Sequence, residues 1–165
     1  MLGIGLLYVG AVLYINALVF LGKVSGRAAA IMNTFTGLLT LFIALYTAFT
    51  SPLGNASYFA AAQVLLFSFT YLWVAINNFF QVEDGSGLGW YSLFVAIIAV
   101  PTALLTFHDD FRFGFIWLAW AFLWFLFWVW LSLKRNIGKI VGYVTMIEAV
   151  LTCVLPGYLI LINKW

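Results

Sequence analysis

The sequence predicts an all-α integral membrane protein built from six transmembrane helices. Two observations predict it. Of 165 residues, 66% are apolar and only 7% are charged, where a soluble domain carries about 25% charged residues. Such a chain cannot cover a water-facing surface with polar groups, and a bilayer is its natural solvent. Second, breakers and charges divide the chain into six apolar stretches, each close to the roughly 20 residues that a spanning helix needs.

The stretches run over residues 2–22, 29–50, 57–80, 90–107, 113–133 and 140–162. The opening MLGIGLLYVG has no basic leader region, so it reads as a retained membrane helix rather than a signal peptide. The connections GKVSGR, SPLGNAS, QVEDGSGLG, HDDF and KRNIGK are short. Successive helices are therefore expected to be antiparallel neighbours in one domain, 1–165, with no room for a soluble module. Cytoplasmic loops collect Lys and Arg. The first, third and fifth connections hold Lys23, Arg27, Lys134, Arg135 and Lys139 against Arg112 and Lys164 on the other side, which places both termini outside. Trp90, Trp165 and Tyr58 sit near span ends, where aromatic belts form.

Enzyme classes find no support. His108 stands in a connection beside Asp109 and Asp110, a set that reads as a solvated loop. No metal-ligand spacing falls within a span, and no nucleophile, base and orienter come together. DGSGLG follows no strand and lacks a lysine, so it is not a phosphate loop. The net charge of +2 is too small for nucleic acid. Cys153 is the single cysteine and forms no internal disulfide. No cofactor is expected.

The helix faces carry the functional signal. In WLAWAFLWFLFWVWL, residues 117–131, advancing about 100° per residue places Trp117, Trp120, Trp124 and Trp128 within an arc of about 80°. Trp130 points elsewhere. Aromatic stripes usually fill cores. Lipid-embedded helix contacts, however, favour small residues, and four stacked indoles hold helices apart, so the stripe reads as lining. On the first helix Leu2, Leu6, Val9, Leu13 and Asn16 share a similar arc, a pattern that ordinary packing also explains. On the third, Phe69, Trp73 and Asn77 form a slanted line, each about 40° from the last.

Glu148 is the one ionisable group deep in any span. A charged carboxylate there costs about 2.5–3.5 kcal/mol on insertion scales and usually faces an interior or a wet cavity. It reads either as a lining residue or as a protonated structural acid. Thr145 and Thr152, one turn to either side, could hydrogen-bond it. A lumen that is aromatic, aliphatic and almost free of charge strips ions of hydration and returns nothing. A small planar neutral solute, such as urea or a short aliphatic amide, can pass. Two other readings stand beside this one: a proton-coupled exporter of lipophilic cations using Glu148, and a structural membrane protein with no permeant.

MLGIGLLYVGAVL, MNTFTGLL, LLFSFTYLWVAIN, WYSLFVAI, IWLAWAFLW and IEAVLT resemble the urea channel and amide transporter family, which includes the proton-gated channels of gastric bacteria and the amide transporters encoded beside amidases. The resemblance implies a pore within each protomer and six protomers in a ring around a lipid-filled centre. It also implies the bacterial cytoplasmic membrane and a functional link to a cytoplasmic urease or amidase. Carried over motif by motif, it implies a pore lined by Leu2, Leu6, Val9, Leu13, Phe69, Trp73, Trp117, Trp120, Trp124 and Glu148; gastric members have tyrosine where Trp73 stands. Those members also carry a long outer connection rich in His and carboxylates between helices two and three. Here residues 50–57 read TSPLGNAS, with no ionisable group, and a histidine sensor needs histidines. The expectation is a passive channel that acid does not gate.

Overall fold

The computed structural model describes residues 1–165. Five uninterrupted helices, α1 (Leu2–Phe20), α2 (Gly26–Thr50), α3 (Asn55–Phe80), α4 (Ser86–Asp109) and α5 (Phe111–Leu131), are followed by a broken sixth span. That span is α6 (Gly138–Glu148), a π-helical segment (Ala149–Val154) and α7 (Leu155–Leu161). All six spans are long and apolar enough to cross a membrane, so the chain is a multi-pass membrane protein. The predicted spans agree to within a few residues at each end. The break in the sixth was not expected.

Local chemistry sets the boundaries. Ser25 caps α2 by accepting from the Ala28 backbone N–H at 3.2 Å, which satisfies one of the orphan donors at a helix start. Asp110 caps α5, accepting from Arg112 N at 2.9 Å. Gln81 closes α3 in the left-handed region, φ 52°. In the sixth span the Leu155 N–H bonds five residues back, to Val150 O. Pro156 follows immediately. A proline inside a helix removes one backbone donor and crowds the carbonyl four residues earlier, here that of Thr152. The wide turn accommodates both, and π segments often lie beside functional sites.

The helices close into a ring. α2 packs along α3, and α4 along α5, while α1 lies between α2 and the sixth span, which also touches α5. The α3–α4 contact is thin. Small residues permit the tight contacts, as membrane helix packing favours. A Cβ on Gly157 would lie 2.7 Å from the Leu7 backbone nitrogen, and one on Gly10 would lie 2.9 Å from that of Val154. The α1 wall is thereby pressed onto the sixth span at two levels.

Candidate permeation pathway

Helices α1, α3 and α5 run in the same direction, and their inner faces supply most of the lumen. Two cavities lie end to end. One, of about 300 Å³, opens near Met1 and Leu2 and is lined by Leu6 and Val9 of α1, Gln63 and Val64 of α3, and Trp117 of α5, among others. The other, of about 440 Å³, reaches the opposite end past Leu13 and Asn16 of α1, Thr70, Tyr71, Asn77 and Asn78 of α3, and Trp124 of α5. The two share Phe67 and Trp120. These two rings therefore form the seam between the cavities, edge to face at 4.8 Å between centroids and 79° between planes. Phe67 also lies 4.8 Å from Trp124 and 5.9 Å from Trp117. Apart from Glu83 near one end, no acidic or basic side chain lines either cavity.

Of the residues selected from the sequence, Leu2, Leu6, Val9 and Trp117 line the first cavity, Leu13 and Trp124 the second, and Trp120 both. Phe69 and Trp73 are corrected: they line neither cavity, and 47% and 38% of their surface remains exposed on the outside of the bundle. Trp73 packs instead near Tyr91, at 5.8 Å between ring centroids. The α3 residues that do face inward are Phe67 and Tyr71, two positions earlier in each case, which points to the opposite side of a helix. Glu148 stands apart from these. It is buried but lines neither of these cavities, and its Oε2 has no hydrogen-bond partner.

The threonines flanking Glu148 do not bond its carboxyl. Thr145 donates to Val141 O at 2.7 Å and Thr152 to the Glu148 backbone O at 2.6 Å. On α5 the lining continues to Trp130, while Trp128 leaves it and packs near Trp90, the reverse of the expected pair.

Two further amides were not connected in the sequence reading. Asn16 Nδ2 donates to Asn33 Oδ1 at 3.0 Å, and Asn33 Nδ2 returns a bond to Asn16 Oδ1 at 2.7 Å. Asn33 Nδ2 also donates to Ala29 O at 2.9 Å. The pair is buried. Its energetic logic is mutual satisfaction, because an unpaired amide in an apolar interior is expensive.

Each end of the bundle has its own polar staple. At the end holding Met1, Asp110 accepts from Arg112 through two side-chain bonds of 2.9 and 2.8 Å and from Trp165 Nε1 at 3.0 Å. The Arg112 guanidinium stacks 4.3 Å from the Trp165 ring centre. The Arg112 side chain, helped by the backbone bond and by Trp165, lowers the Asp110 pKa to about 2. His108 and Asp109 are thus the last turn of α4, and Asp110 a helix cap, rather than one open loop. At the other end Lys134 reaches Asp84 at 3.1 Å, tying the third connection to the fifth. Hydrogen bonds from the Ser86 backbone and hydroxyl, then from Lys134, lower the Asp84 pKa to about 2.

A six-helix membrane bundle with two nearly uncharged cavities meeting end to end inside it is a membrane transport protein. The profile of the AmiS/UreI family transporters matches residues 1–164, and the chain belongs to that family. A Mycolicibacterium smegmatis protein named as a candidate transporter of amidate substrates is 45% identical, over 99% of this chain and 78% of that protein. The acid-activated urea channel of Helicobacter pylori is 36% identical over the whole of both chains. The crystal structure of the H. pylori urea channel superposes with a TM-score of 0.90 at 38% identity, covering 100% of this chain and 99% of that one. A cryo-electron microscopy structure of the same channel in its closed state also gives 0.90, at 37% identity over the whole of both chains.

Proposed function

We propose that the protein is a passive channel for urea and short-chain aliphatic amides. The observation that carries this reading is the pair of end-to-end cavities meeting at Phe67 and Trp120, with almost no charge along them. An ion entering such a slot sheds water without compensation. A flat neutral solute fits between ring faces and binds weakly enough to leave. The names of the relatives, a urea channel and a candidate transporter of amidate substrates, support that permeant class.

In this reading the lining comprises Leu2, Leu6, Val9, Leu13, Phe67, Tyr71, Trp117, Trp120 and Trp124, with Glu148 behind it. The channel sits in the bacterial cytoplasmic membrane with both termini outside, on the count of basic residues in alternate connections. Six protomers form the ring, and a cytoplasmic urease or amidase consumes what enters. Acid does not gate it. The connection between α2 and α3 is Ser51–Gly54, with no ionisable side chain. The alignment with the acid-activated relative runs over 195 positions against 165 residues here, so the relative carries about 30 residues that this chain lacks.

The test is a solute panel in proteoliposomes: urea, acetamide, glycerol and a monovalent salt, at pH 5 and pH 7.5. Urea and acetamide should pass well above bare lipid, salt should not, and acid should change little. Urea and amide fluxes at the bare-lipid level would end the channel reading, and a several-fold rise at pH 5 would end the ungated one.

A further inference from the structure

The sixth span changes to its wide π turn where it passes behind the seam between the cavities. Thr152 lies in that turn. Eight buried or partly buried threonines donate a hydroxyl back to the carbonyl four residues earlier: Thr34, Thr40, Thr47, Thr70, Thr102, Thr106, Thr145 and Thr152. Thr152 also receives a donor from another helix, the Trp120 indole Nε1 at 2.9 Å. A hydroxyl has one proton. With that proton given to Glu148 O at 2.6 Å, its lone pairs are left for the indole. The shortest bonds therefore run from indole N–H to threonine hydroxyl to backbone carbonyl, with the Cys153 Sγ 3.4 Å from the same hydroxyl, and all of it is buried. Trp120 is also the only indole within the spans whose N–H finds an acceptor; that of Trp128 is buried without one.

We propose that Thr152 is a positioning residue for permeation: it holds the Trp120 indole edge-on to Phe67 and so sets which neutral solutes cross the seam. Thr152 lines neither cavity, so it acts through Trp120 and not on the solute. With the hydroxyl in place the ring cannot turn without leaving a buried donor unmet. The inference rests on the channel reading but has a readout that does not depend on it.

The experiment compares Thr152→Val, of the same shape without the hydroxyl, with Thr152→Ser, which keeps it, in the full chain reconstituted in liposomes. Thr152→Val should raise the thiourea-to-urea permeability ratio about fivefold, the factor that goes with one neutral hydrogen bond. Thr152→Ser should keep the wild-type ratio. Trp120→Phe has no indole N–H, so adding Thr152→Val to it should change the ratio no further. An unchanged ratio in Thr152→Val, or independent effects in the double variant, overturns the proposal. In detergent-solubilised wild type, the ¹⁵N-indole resonance of Trp120, assigned with Trp120→Phe, should show a slowly exchanging, hydrogen-bonded proton. A freely exchanging one refutes the clamp even if Thr152→Val fails to fold or no urea flux is found.

Discussion

Truncating Phe67 tests the seam directly. Its ring meets three indoles, two at 4.8 Å and one at 5.9 Å between centroids, and it borders both cavities. Phe67→Ala removes the shared wall and joins spaces of about 440 and 300 Å³. Discrimination by one methylene-sized difference in an apolar slot is worth about 1–3 kcal/mol, or roughly 10–200-fold. Loss of the wall should therefore reduce the preference for urea over thiourea or N-methylurea by at least about tenfold. The absolute urea flux should rise or hold. Stability should fall toward the lower end of the roughly 3–5 kcal/mol seen for Phe→Ala in cores, because one side of this ring already faces open space. Stopped-flow light scattering on proteoliposomes gives the permeabilities, and thermal unfolding in detergent gives the stability. Phe69→Ala is the control, since Phe69 faces outward and should leave every ratio within about twofold, as surface changes do. If Phe69→Ala alters the ratios and Phe67→Ala does not, the assignment of the inner face of α3 is wrong.

Three further outcomes follow from other sites. Asn33→Leu strands the buried Asn16 amide and should cost about 1–3 kcal/mol, read as a lower Tm in detergent; the double change with Asn16→Leu should recover much of it, and a double variant no better than the single would refute the pairing account. Asp84 and Asp110 are both lowered from 3.8 to about 2, so their contribution to stability is complete above about pH 4 and disappears as pH falls toward 2. A Tm that stays flat between pH 4.5 and pH 2.5 contradicts this. Glu148→Gln should keep substantial urea flux, because the carboxyl lines neither cavity; complete loss of transport would instead favour proton exchange through that residue.

Much of the fold was legible because a bilayer demands long apolar runs, and the few charges here fall between them. The inner faces of α1 and α5 were legible for a related reason: Leu6, Val9 and Leu13, and Trp117, Trp120 and Trp124, keep one helical phase over several turns. On α3 the same logic failed. Lipid is as apolar as the lumen, so Phe69 and Trp73 on the outside look no different from Phe67 and Tyr71 on the inside. Gln63, Thr70 and Asn77 recur every seven positions and all three line the cavities, but Phe67 and Trp73 each lie about 60° from their mean phase, on opposite sides, so the polar stripe excludes Phe69 and does not choose between the other two. For Glu148 an isolated acid left a lining role and a structural role equally open, because one residue carries no helical phase of its own. The π turn escaped notice because Pro156 was not weighed as a break within an otherwise continuous span.

The bond between Trp120 and Thr152 also governs what the narrow point can offer a traveller. Its one donor is already committed, so a molecule at the seam meets carbon and ring surface. Each molecule must arrive there stripped of partners and find new ones only beyond. Relative rates for neutral compounds of similar width should then track their ease of transfer from water into an aromatic liquid such as benzene, with polyols slowest.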